Sequence, residues 1–207
     1  MKTNITVIVM ATALIGTGCT PIPAKMAVSD TEMQTLRGKT LHINQSDTSD
    51  FVLETSTQNV ASLVAFGAIG AAVSASISIG RGKNALTTAG IEDPAKTIEA
   101  NIIKELAKYQ PASTQAYTTQ TAPTEDVDLD VKTAGWSTPY TPNGYGINYS
   151  AAMKLTDKKN KILAQAGCEY KTDSTLAVSY EKITADQGTW LKTEVGKAVD
   201  YCSDMML

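Results

Sequence analysis

The chain has 207 residues, with 18 Lys and Arg against 21 Asp and Glu and a formal charge of −3. That length suits one domain of ordinary size, and the mildly acidic balance offers no basic footprint, which sets nucleic acid aside as a partner. Aromatic residues are sparse, and Ala, Ser and Thr are abundant, as in many exported bacterial proteins.

Met1-Lys2-Thr3-Asn4 leads into an apolar run from Ile5 to Ile15 and then Gly16-Thr17-Gly18-Cys19. A basic start, an apolar stretch too short to span a bilayer and small residues at a cut are the parts of a secretory signal peptide. A cysteine directly after those small residues resembles the lipobox of bacterial lipoproteins, with Gly16 standing where that family prefers Leu. The resemblance implies cleavage before Cys19 and its lipidation on sulfur and amine. Several acyl chains, at ~0.8 kcal/mol per buried methylene, make such an anchor durable. Thr20 rather than Asp after the cysteine implies, by likeness to sorted Gram-negative lipoproteins, an outer-membrane location facing the periplasm. The expected organisation is a signal peptide over 1–18, a lipidated tether over 19–29 with Pro21 and Pro23, and one periplasmic domain over 30–207. The alternatives are a soluble secreted protein and an uncleaved anchor.

Thr31 to Arg37 reads as one or two helical turns ended by Gly38. Leu41 and Ile43 then alternate around His42, and Phe51 to Glu54 follows a turn-rich polar stretch, which predicts two short strands joined by a polar loop. Alternation points His42, the only histidine, toward solvent or a neighbouring strand. With no nucleophile-elbow sequence to serve, it is assigned no catalytic role.

From Thr55 to Gly80 the chain carries no charge. Small residues four apart, such as Ala61 and Ala65 or Ala68 and Ala72, allow close helix packing, but Gly67 and Gly70 weaken an isolated helix. The leading reading of Val60 to Ile79 is a helix buried in the domain or against a second copy. A membrane-inserting or pore-lining element and an irregular segment are the alternatives. Gly80-Arg81-Gly82-Lys83-Asn84 invites a phosphate-loop reading that fails, since Ile77 replaces the first Gly and Asn84 the final Ser or Thr. A solvated linker is expected there.

Asp93-Pro94 is a strong helix start. Ile98, Ile102, Leu106 and Tyr109 form an apolar stripe that Ile103 widens, and Pro111 ends the helix, which should pack on a sheet. Val127, Leu129 and Val131 alternate with Asp126, Asp128, Asp130 and Lys132, the pattern of a strand with one wet face. That alternation accounts for acids, Glu125 included, that imitate the start of a calcium loop, where Val131 and Ser137 occupy the glycine and final acid positions.

Gly135 to Gly146 reads as a loop rich in Gly, Pro and aromatics. Ile147, Tyr149, Ala151, Met153 and Leu155 alternate again, and Ile162 to Tyr170 returns as a hairpin partner across the lysine-rich turn at Lys158, Lys159 and Lys161. Asp186 to about Ser203 reads as a helix with Leu191, Val195, Ala198, Val199 and Cys202 on one side. With Cys19 taken by lipid, Cys168 and Cys202 are left as an even pair in an oxidising compartment, and a disulfide worth roughly 3–4 kcal/mol is expected between the return strand and the last helix.

These elements sum to an α+β domain, an antiparallel sheet with helices packed on one face and the C-terminal helix tied to a strand by a disulfide. The order of an Asp-ended strand, a basic turn, an Ala-rich strand carrying Cys168 and a helix carrying Cys202 resembles uncharacterised periplasmic envelope lipoproteins. It is also loosely similar to the mixed α/β domain of curli-export lipoproteins. The likeness covers about the last third of the chain and transfers no site residue.

The function expected is that of a non-enzymatic, lipid-anchored envelope protein acting as an accessory or assembly factor through protein contacts, with an envelope protein or a second copy as partner. No catalytic set, metal site or cofactor is expected. The alternatives are a binding module for cell-wall glycan or another envelope ligand, built on Trp136, Tyr140, Tyr145 and Tyr149, and a membrane-inserting oligomer built on residues 60–79.

Overall fold

The computed structural model describes residues 33–45, 49–54, 76–118 and 127–206. The expected signal peptide over 1–18, Cys19, the expected tether over 19–29, Glu125, Asp126 and all but the end of the Val60 to Ile79 segment lie outside the described residues.

Strand β4 (Val127–Thr138) is the spine of the fold. Val127, Leu129 and Val131 are buried, while Asp128 and Asp130 are half-buried and Lys132 is exposed, so the alternation settles which face meets the core. Strand β7 (Asn148–Asp157) pairs antiparallel along one edge of β4, and β8 (Ile162–Lys171) returns antiparallel on β7. Asp157 shapes the turn between them, its Oδ1 accepting from the Lys159 and Lys161 amides at 2.8 and 2.9 Å. Asn160 in that turn takes φ of 60°, a conformation Asn tolerates better than most side chains.

The second edge of β4 holds both short N-terminal strands. Strand β1 (Thr40–Gln45) pairs in parallel with its start, and β2 (Val52–Leu53) in parallel with its end. They run in tandem along β4 instead of pairing with each other. Strand β3 (Ser113–Thr118) adds in parallel to β1, giving the order β3-β1-β4-β7-β8. The α+β class holds, with the long C-terminal strands antiparallel and the N-terminal ones joined in parallel.

The sheet extends further than sequence alternation suggested. A register shift between Thr133 and Gly135 places an extra residue, Ala134, in β4 opposite β7. Beyond this bulge the inward positions change parity, so Trp136 and Thr138 are buried where strict alternation would turn them outward. The expected loop from Gly135 is therefore strand as far as Thr138, followed by a small hairpin of β5 (Tyr140–Thr141) and β6 (Gly144–Tyr145). Tyr145 and Val178 then exchange backbone hydrogen bonds at 2.8 and 3.0 Å.

Among the described residues, four α-helices complete the fold. Helix α1 covers residues 76–89, and α2 (Pro94–Leu106) follows the Asp93 cap, whose carboxylate accepts from the Ala95 amide at 2.9 Å. Helix α2 buries Ile98, Ile102 and Leu106 and lies on β4 and on the last helix. Helix α3 (Tyr180–Thr184) is short, and α4 (Thr189–Met206) packs along β8 with Leu191, Val195, Ala198, Val199 and Cys202 buried. The Cys168–Cys202 disulfide joins β8 to α4. Among the described residues, no helix is long and apolar enough to cross a membrane.

The Gly80 to Asn84 stretch is helical, contrary to the solvated linker expected there. Gly82 explains the difference. It is buried, and a Cβ added to it would stand 1.9 Å from the Phe51 carbonyl oxygen. The glycine lets α1 press its backbone against the chain entering β2, a close approach no other residue permits. Asp50 and Lys83 reinforce the junction with an ion pair at 3.0 Å.

Gly82→Ala is thus expected to destabilise the protein by about 2 kcal/mol, overpacking outweighing the gain in helix propensity. Gly196→Ala, on an open face of α4 with nothing within 4 Å, is expected to stabilise by about 0.5–1 kcal/mol. Urea unfolding of the two variants beside the parent checks the opposite signs.

Candidate functional site

The aromatic residues singled out in the sequence divide sharply in the structure. Trp136, Tyr145 and Tyr149 are only 4%, 5% and 1% exposed, whereas Tyr140 is 41% exposed. Phe51 and Trp136 meet at a tilt of 43° with ring centres 4.7 Å apart, Trp136 meets Tyr149 edge-on at 6.2 Å, and Tyr145 lies between Tyr140 and Tyr180. Three of the four rings therefore pack the end of the core. Trp136 and Tyr149 line a hollow of about 190 Å³ beside the bulge, lined also by Asn148, Ser150 and Glu169. The Trp136 indole nitrogen is buried without a hydrogen-bond partner among the described residues, a cost of about 1–3 kcal/mol that its ring contacts must offset.

Tyr149 belongs to a buried chain of polar groups. Its hydroxyl lies 3.1 Å from Thr133 Oγ1, which donates to the Asp93 carboxylate at 2.5 Å. Burial foremost pushes the Tyr149 phenol well above its ordinary value, Thr133 opposes the shift, and the Asp93 charge adds to it. This arrangement holds structure rather than a reactive proton. His42 is 7% exposed, on a strand held between β3 and β4. Among the described residues no cluster of three His, Cys, Asp or Glu could hold a metal.

A different set of described residues lines a second recess. A groove of about 420 Å³ runs between α3, the turn after it, and the first two turns of α4. Leu176, Val178, Ala185 and Trp190 form its apolar wall, with Val178 and Trp190 packed partly on the core. Thr189 and Thr193 stand one helical turn apart on α4, and Lys182, Lys197, Asp186 and Glu194 complete the lining.

Glu194 is the unusual member, a carboxylate with 3% of its side chain exposed. It accepts from Lys197 Nζ at 2.6 Å on one oxygen, and from Thr172 Oγ1 at 2.9 Å and Tyr170 Oη at 3.1 Å on the other. Burial pushes its acidity toward higher pKa. The bonds from Lys197, Thr172 and Tyr170, with the Lys197 charge, outweigh burial and hold Glu194 below the usual carboxylate value. Tyr170 is pushed up to about 12, by burial first and then by the negative charge it faces.

The turn that contributes Asp186 to the lining has an uncommon backbone. Asp186, Gln187 and Gly188 are all left-handed, with φ of 50°, 55° and 71°. Holding the two non-glycine residues so costs about 1–3 kcal/mol each. Gly188 is required by contact as well, because a Cβ there would lie 2.6 Å from that of Ala89 on α1. Sequence reading missed this site, although one signal was present. Glu194 falls on the same helical stripe as Leu191, Ala198 and Cys202, an acid at a core-facing position.

No protein-family model matches the chain, and no curated protein matches it. Among solved structures it is similar to the PelC dodecamer from Paraburkholderia phytofirmans, at 11% identity and a TM-score of 0.31 over 90% of this chain and 95% of that one. It is also similar to a lipoprotein from Neisseria meningitidis, at 13% identity and a TM-score of 0.25 over 78% of this chain and 98% of that one. A hypothetical protein from Chlamydia trachomatis matches at 11% identity and a TM-score of 0.25, over 80% of this chain and 97% of that one. Likenesses of this size carry no argument about function.

The Glu194 cluster sets the response to pH. Its carboxyl is depressed below the ordinary 4.5, so its contribution is fully present above that value and is lost as pH falls through the depressed one. Tyr170 is raised from 10.0 to about 12, so its contribution is complete below pH 10 and disappears as pH rises toward 12. Glu194→Ala is expected to cost about 3 kcal/mol at neutral pH by leaving three donors without their acceptor. Glu194→Gln should flatten the acid limb and Tyr170→Phe the alkaline limb of a plot of urea midpoint against pH.

Proposed function

We propose that the chain is a non-enzymatic, lipid-anchored accessory protein of a Gram-negative envelope, held at the outer membrane through Cys19 and working in the periplasm by contact with an envelope protein or a second copy of itself. The observation that supports this most is the Cys168–Cys202 bridge. Its two cysteines are fully buried at the seam of β8 and α4, where a disulfide is part of the core, and such bonds belong to oxidising compartments. The lipobox-like sequence at Cys19 supplies the anchor in this reading. A sequence with no nucleophile motif and one histidine, which is buried, supports contact rather than catalysis in this reading.

Membrane extraction and intact mass test the proposal directly. Chain cleaved before Cys19, carrying acyl mass and one disulfide, is expected in the membrane fraction, and Cys19→Ser is expected to release the protein from that fraction. Crosslinking before extraction should retain a partner or a larger particle of the same chain. A monomer without acyl mass, or one that yields no crosslinked species, overturns the reading.

A further inference from the structure

We infer that the groove along the start of α4 is a binding site for a neutral saccharide, a hexose or N-acetylhexosamine unit of a glycan chain, with Trp190 as its platform and Glu194 and Thr193 as its polar contacts. The inference goes beyond the anchored-accessory reading and does not rest on it. The groove measures about 420 Å³, within the range of small-ligand sites, and it has their make-up of apolar wall and few fixed polar groups. Trp190 packs partly on the core, so its ring is held in place while the rest of it lines the groove. A flat ring suits the carbon–hydrogen face of a pyranose, and its binding needs no side chain to be ordered anew.

The polar groups are set for hydroxyls. Thr189 and Thr193 each donate to a main-chain carbonyl, at 2.6 and 2.9 Å, which orients both and leaves their oxygen lone pairs toward other donors. Glu194 accepts three hydrogen bonds, and a carboxylate offers about four acceptor positions, so one remains for a sugar hydroxyl. The charges of the lining balance, Lys182 and Lys197 against Asp186 and Glu194, which selects neither an anion nor a cation. A bare acyl chain is disfavoured because it would cover Glu194 and Lys197 with hydrocarbon and return no hydrogen bond.

The test uses the full-length chain in a zwitterionic detergent, since a sugar-headed detergent would compete. Maltotriose and chitotriose are titrated by calorimetry and by indole fluorescence, with octanoate in parallel. At least one trisaccharide is expected to bind saturably, and Trp190→Ala to weaken it by about tenfold or more. Trp190→Phe should keep calorimetric binding within a few-fold while abolishing the fluorescence change, because buried Trp136 does not report on the groove. Thr193→Val, exposed and isosteric, should weaken binding several-fold at an unchanged unfolding midpoint, which keeps the test decisive even where Trp190→Ala fails to fold. No saturable binding of either sugar, sugar affinity unchanged in Thr193→Val, or saturable binding of octanoate alone overturns the inference.

Discussion

The fold depends on how β4 is held at its bulge. The Asp93 carboxylate is the fixed point. It caps α2 through the Ala95 amide, accepts from the Ser49 amide at 3.3 Å, and takes the Thr133 hydroxyl from the strand itself. Three segments distant in sequence thus converge on one side chain where Ala134 adds its extra residue. The bulge reverses which residues of β4 face inward, so Val131 and Trp136 share one core although five positions separate them. Tyr149 on β7 completes the junction through Thr133. Without this pin a register slip would carry Trp136 to solvent and leave the end of the core open.

Much of this was legible in the sequence because the signals were local. The Asp-Pro start of α2, the alternation of Val127 to Val131, the hairpin of β7 and β8, and the stripe of α4 each follow from a short-range pattern that tertiary contacts reinforce. The Cys168–Cys202 pairing joined two of those elements. What escaped depended on contacts between distant segments. Nothing near Gly135 announces that the strand continues through a bulge, since the Asp93 side chain that stabilises it lies on another element. Nothing near Gly82 shows that its missing Cβ is the space occupied by the Phe51 carbonyl, so a helical stretch read as a linker.

The candidate site shows the same division. Trp136 and the neighbouring tyrosines drew attention because aromatic residues gather there beside Gly, Pro and Asn, a composition shared by ligand loops and by strand ends that close a core. Burial distinguishes the two, and only Tyr140 retains substantial exposure. Trp190 attracted less notice because it stands at the start of an ordinary amphipathic helix. Its setting is made by the left-handed turn from Asp186 to Gly188 and by the fit of Gly188 against Ala89. Consecutive residues in sparsely populated conformations persist only where the surroundings fix them, and here the contact of Gly188 with Ala89 on α1 restrains the turn that contributes Asp186 to the groove.

Glu194 bears on whether this region is arranged for packing alone. A buried carboxylate and its partners seldom stabilise more than apolar side chains of the same volume, because desolvation offsets most of the attraction. Helix α4 is already fastened to β8 by the disulfide between Cys168 and Cys202, close in the strand to Tyr170. The bonds of Glu194 to Tyr170 and Thr172 therefore repeat a connection that a covalent link provides. What they add is a negative group held in one orientation at the edge of an apolar recess, with Lys197 balancing its charge. Packing can do without such a group, whereas recognition of a polar ligand depends on acceptors that are fixed before the ligand arrives.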